Sequence, residues 1–138
     1  MTVAQFLSVI QQKLEQNATW EVYTAYDSTP FDKRPKRFLI LEHVGETWGT
    51  PFQTDSYYRS RRLMLHLRVT AMISQETDGE TLINHFFREV IVGLSRIGYS
   101  IHDLTLSAPA FLPQYRRMSM QADFNVCCLY QEEREETT

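Results

Sequence analysis

The sequence predicts an α+β domain: a mixed or antiparallel sheet of about four to five strands, with two amphipathic helices packed on one face. Three observations carry this. Leu63, Leu65, Leu67, Val69, Ala71 and Ile73 alternate with Arg62, Met64, His66, Arg68, Thr70 and Met72, a period of two sustained over twelve residues. Two other segments carry apolar residues at helical spacing. The length of 138 residues fits one domain, able to bury roughly two-thirds of its unfolded surface without staples. The domain is expected over residues 1–131, with 132–138 an acidic tail that is solvated or disordered.

The first helix is expected from Val3, Phe6, Leu7, Ile10 and Leu14, one apolar stripe. Thr2 and Gln5 have capping-box form, and Asn17 is the expected C-terminal residue. Residues 20–26 alternate and are rich in aromatic and β-branched side chains, a strand pattern. Residues 27–36 hold Pro30 and Pro35 and read as turns. The next strand covers 37–44, and its apolar run 38–41 implies a central position with both faces buried.

The 45–58 segment resists assignment. Gly45, Gly49 and Pro51 break it, yet it carries Trp48, Phe52, Tyr57 and Tyr58. Those aromatics either tuck onto the edge of the core or form a projecting arm that docks on a neighbouring subunit. The long strand follows over 59–73. The cap Thr77-Asp78-Gly79-Glu80 then leads into a second helix over 78–97, with Leu82, Ile83, Phe86, Phe87, Val90, Ile91 and Leu94 facing the sheet. Gly98 is placed for a left-handed cap. Residues 101–106 read as a short strand, and 108–114, with Pro109 and Pro113, cannot be a central one. A last strand spans 115–131, with Met118, Met120, Ala122, Phe124, Val126, Cys128 and Tyr130 on one face. The order is α-β-β-β-α-β-β.

Several function classes fall away. The net charge of −3 supplies no global basic field for nucleic acid. No apolar run reaches the roughly 20 residues that span a bilayer, and the N-terminus lacks the order of a signal peptide, so no membrane partner is expected. Asn17-Ala18-Thr19 is then a chance sequon. Cys127 and Cys128 are adjacent in a strand and point to opposite faces, which suits a reducing compartment and no metal or disulfide framework. His43, His66, His85 and His102 form no ligand-spaced pair, although His43 and His66 could approach across paired strands. There is no phosphate loop, no nucleophile elbow and no Gly-rich dinucleotide motif. Glu42, Asp103 and Asp123 stand as isolated strand residues. No catalytic residue, cofactor or metal is expected.

Basic residues gather at Lys33, Arg34, Lys36 and Arg37, at Arg59, Arg61, Arg62 and Arg68, and at Arg116 and Arg117. Each group sits at a loop-to-strand junction. Together they are either a solvated surface or a basic rim at one end of the sheet that contacts a partner.

The element order resembles that of the tail terminator (tail completion) proteins of long-tailed bacteriophages and prophages. The matching parts are the helix over 3–14, the long hairpin over 38–73, the helix over 80–94 after its Gly-containing cap, and the strand over 117–130. The resemblance implies a non-enzymatic virion structural protein. Such a protein caps the tail tube as a homo-hexameric ring, and its partners are the tail tube protein and the head-side connector. Nucleic acid enters only as DNA passing through the ring. The expected location is the host cytoplasm during assembly and then the virion tail. Trp48, Phe52, Tyr57, Tyr58, Arg59, Arg61, Arg62 and Arg68 become the expected subunit interface. The alternatives are a head-completion or neck protein, and a small α+β module that binds a ligand or nucleic acid with Tyr57 and Tyr58 as stacking platforms.

Overall fold

The computed structural model describes residues 2–50, 52–53, 58–74 and 78–133. Thr77 of the cap, Tyr57 and residues 134–138 of the expected tail lie outside them, while Glu132 and Glu133, expected in that tail, belong to the last strand.

An α+β fold is present. Helix α1 spans Val3–Ala18 and opens with the expected capping box between Thr2 and Gln5. It runs past Asn17. The left-handed cap residue is Thr19, with φ of 61°, and Asn17 instead returns its side-chain amide to the Lys13 carbonyl. The helix buries Phe6, Ile10, Leu14 and Ala18 against the sheet.

Strand β1 (Val22–Thr24) pairs parallel with β2 (Arg37–Trp48). It is shorter than the alternation suggests, because Trp20 leaves the strand direction and is buried in the core. β2 pairs antiparallel with β4 (Tyr58–Ser74), and β4 pairs along its whole length with β7 (Arg117–Glu133). β5 (Ser100–Leu106) flanks β7. Two short strands complete the sheet: β3 (Phe52–Gln53) on β4 and β6 (Ala110–Leu112) on β7. Among the described residues the sheet therefore has seven strands, ordered β1-β2-β4-β7-β5 with β3 and β6 off the path. The expected four to five were too few, because β3 and β6 are too short to show a period. β6 lies beside its prolines at an edge, where a missing ladder donor is tolerated.

The described part of the 45–58 segment is thus largely strand. β2 continues through Gly45 to Trp48 by taking up one extra residue, Val44, where the register with β4 shifts. A bulge absorbs a residue that would otherwise end the pairing.

The second helix begins at Asp78, whose carboxylate accepts from the Thr81 amide. It changes character midway: α2 (Gly79–His85) passes into a π-helical segment, Phe86–Ile91, and then a last α-turn, α3 (Val92–Leu94). Leu82, Phe86, Val90 and Leu94 are all buried. A strict spacing of four drifts around an α-helix, whose turn is 3.6 residues. The wider π turn, bonded i to i+5, cancels that drift and keeps the row on the sheet. Ile83, expected to face inward, is exposed. Gly93 lies against α1, where an added Cβ would meet the Cβ of Ala18 at 3.1 Å. Gly98 takes the expected left-handed conformation, φ 88°.

Both helices lie on one face, over Leu63, Leu65, Leu67, Val69 and Ala71 of β4 and Ala122, Phe124 and Val126 of β7. Each large aliphatic side chain buried there stabilises the fold by about 1.5–3 kcal/mol. Among the described residues the opposite face is covered at one end. There Phe31, from the 3₁₀ turn Phe31–Lys33, packs edge-on against Phe38 and tilted against Tyr115. This local cover explains why residues 38–41 are apolar on both sides. At 39–41 β2 also lies inside the sheet, between β1 and β4, as its apolar run implies.

Candidate subunit interface

The register sends the basic groups to opposite ends. Arg37 pairs with Ile73 and Ser74 with Arg117 at one end, while Tyr58 and Arg59 stand opposite Glu133 and Glu132 at the other. A single basic rim is therefore not formed. Two of its members are structural. Arg34 is buried, its guanidinium 4.3 Å from the Tyr23 ring and 4.5 Å from Phe31. It donates to the carbonyls of Thr29 and Asp27. Arg117 donates to the carbonyls of Pro35, Lys36 and Phe31.

At the far end, Trp48 closes β2 on the helix-covered side of the sheet. Its ring meets Tyr130 edge-to-face, centroids 5.0 Å apart, and its indole N–H donates to Glu46 at 2.9 Å. Glu46 also lies 3.2 Å from His43. Trp48 still leaves 37% of its surface exposed. Phe52 lies in β3, opposite Ser60. Tyr58 and Arg59 open β4, and Tyr57 is outside the described residues. Arg61 stands opposite Tyr130 and is half-buried with interactions of its own. Arg62 is exposed, opposite Leu129.

The uncovered face carries two polar rows that cross the strands. In one, Arg68 donates to Asp123 at 2.7 Å and lies 3.8 Å from Glu42. The Asp123 bond holds the Arg68 guanidinium more firmly protonated than usual. These groups are a third to a half exposed, so each pair contributes well under about 1 kcal/mol. In the next row, Thr47 bonds His66 at 2.8 Å, His66 bonds the Asn125 carbonyl oxygen, and the Asn125 amide donates to Asp103 at 3.0 Å. With Nδ1 of His66 as donor, Nε2 accepts from the Thr47 hydroxyl. His43 is not part of this row; it stands opposite Leu67, on the other face. Thr47, His66, Asn125 and Asp103 come from four strands, and no sequence spacing announces them.

A cleft of about 290 Å³ opens at the end of the sheet that carries Arg37, lined by Trp20, Lys36, Arg37, Ile73, Thr81 and His85 among others. Glu89, in the π segment, accepts from the Trp20 indole at 2.6 Å and from Arg37 at 2.9 Å, with His85 at 3.7 Å. Arg37 lies 4.9 Å over the Trp20 ring. The lone polar signal, Glu89 on a helix, looks like a solvent residue in sequence. Its partners are 69 and 52 positions away.

Among the described residues no three His, Cys, Asp or Glu side chains are placed to hold a metal ion. No described helix is long and apolar enough to cross a membrane. The chain matches no protein-family model and no curated protein sequence.

Proposed function

We propose that this protein is a non-enzymatic virion structural protein of the tail terminator kind, which assembles into a ring that caps a tail tube and joins it to a head-side connector. The observation that carries the reading is a sheet with unfinished margins. Among the described residues, β2 has no neighbour on its outer side between Glu42 and Trp48, and β5 pairs only with β7. Open ladders favour pairing with another chain, and two unlike margins on one subunit suit a head-to-tail ring. The polar groups support this reading, since those on the open face are engaged with one another rather than gathered around a reactive centre. A neck protein of the same setting differs only in its partners.

The test is native mass across a concentration series, by light scattering behind a sizing column. Six copies of the 16.3 kDa chain give a species of about 98 kDa. Growth of a discrete ring-sized species with concentration, or on addition of tail tube protein, supports the reading. A monomer under both conditions overturns it.

The cleft beside Trp20 and Arg37 favours a second reading, a small-ligand binding module, because it joins apolar walls to convergent polar groups. A small-molecule thermal-shift screen that yields a specific binder, lost in Arg37→Ala, would favour that reading.

A further inference from the structure

The pairing register places the two bare margins at one level. Glu42, Arg68, Asp123 and Thr105 share a row across β2, β4, β7 and β5. Gly45, His66, Asn125 and His102 share another, and Thr47, Met64, Cys127 and Ser100 a third. Between the first two rows both outer strands take up one extra residue: β2 shifts register between His43 and Gly45, and β5 between His102 and Thr105. Val44 is the unpaired residue of one bulge and is 52% exposed; Leu104 belongs to the other and is 42% exposed.

We propose that residues 42–48 of one copy pair antiparallel with residues 100–105 of the next, with Val44 packed against Leu104. This rests on the ring reading above and names its contact. Each pairing step from β2 through β4 and β7 to β5 is antiparallel, so β2 and β5 run in opposite directions. Copies related by rotation about an axis along the strands keep those directions, and β5 of one copy then meets β2 of the next in the antiparallel sense. The shared level means that this pairing needs no shift along the axis, which is the condition for a closed ring rather than an open helical filament. An isolated bulge blunts an edge against straight strands; two bulges at one height fit each other and reject a straight partner.

Cysteine cross-linking tests the contact, using Val44→Cys with Leu104→Cys in a Cys127→Ser background. The two positions lie on strands three spacings apart, roughly 14 Å, beyond the reach of a disulfide, so any bond between them joins two copies. Mild oxidation of the full chain should give a ladder on a non-reducing gel that ends in a closed ring. In parallel, Val44→Glu and Leu104→Lys should each raise the concentration for half-assembly about tenfold or more, and the combined variant should recover most of the loss. Unchanged circular dichroism and melting of the single variants would show that folding is intact. If the wild type forms rings and both charged variants do so equally well, the edge contact is wrong and the ring reading survives. If the wild type forms no ring even with tail tube protein, both fall.

Discussion

Arg34 and Arg117 lie against the same ring, their guanidinium carbons 5.0 and 5.1 Å from the centroid of Phe38. Two like charges converge there because each also serves as a clamp on backbone carbonyls. Arg117 reaches Phe31, Pro35 and Lys36, some eighty residues away in sequence. Burial and the neighbouring Arg34 both push its pKa down. Arg117→Ala should loosen the 27–36 segment and cost about 2–4 kcal/mol, on the scale of hydrogen bonds to a charged donor. A lower Tm with new tryptic cleavage at Lys33 or Lys36 would bear this out. Unchanged proteolysis would show that the segment is held by Phe31 alone.

The helix row gives a sharper stability prediction. Phe86 and Val90 are fully buried in the π segment against the sheet. Phe86→Ala should cost about 3–5 kcal/mol. Phe86→Asp or Val90→Asp should abolish folding, since each leaves an unpaired charge in the core. Cooperative unfolding of either Asp variant at wild-type denaturant concentrations would refute the inward row.

Two caps set the acid side of the stability curve. Asp27 accepts from the hydroxyl and the amide of Thr29, and Asp78 from the amide and the hydroxyl of Thr81. Those hydrogen bonds hold both carboxylates below the ordinary aspartate value of 3.8. The unfolded chain therefore binds protons more readily than the folded one. Stability from these groups is complete above 3.8 and is lost as the pH falls through the depressed folded values. Melting curves from neutral to about pH 3 should steepen in that window. The Asp27→Asn, Asp78→Asn double variant, which keeps the acceptors, should flatten it.

The adjacent cysteines should behave differently. Cys128 faces the core, and burial pushes its thiol up to about 11. It stays protonated at about pH 8 and is a poor nucleophile. Cys127 is half-buried on the other face. In a Cys127→Ser variant, thiol labelling should follow global unfolding. Fast labelling of Cys128 in the folded protein would place the β7 alternation one residue out of step.

What the sequence made legible was local. The alternation of β4 and β7, the Thr2–Gln5 box, the Asp78 cap and the Gly98 turn each depend on neighbours within a few residues, and each lies where its pattern placed it. The misjudged parts depend on distant partners. Gly45 looked like a strand breaker, because a bulge becomes visible only against the register of β4, whereas β2 does end before Gly49. Phe38 gave no sign that its cover, Phe31, arrives from a loop. Glu89 looked like a surface residue because Trp20 and Arg37 meet it only in the folded chain. Of the residues expected at an interface, the structure places Trp48 at the end of β2 and Arg59, Arg61, Arg62 and Arg68 along β4. The sequence did not show that Asp123 and Glu42 tie Arg68 down, nor that Val44 and Leu104 stand at one level.

Trp48 separates the two roles that the aromatic segment could play. It packs on Tyr130 and bonds Glu46, yet remains more than a third exposed at the end of β2. The edge-to-face pair is worth about 0.5–1.5 kcal/mol beyond its buried area, so Trp48→Ala should lower the monomer's stability by roughly 1–2 kcal/mol without unfolding it. Trp48 is the last residue of β2, the strand whose outer margin is proposed to pair, so the same change should weaken assembly. Denaturant unfolding and native mass, measured on one preparation, distinguish the effects. A stable monomer with a lost ring assigns Trp48 to the interface. Collapse of the monomer would make it core, and the contact between copies would then fall to Val44 and the strand edge alone.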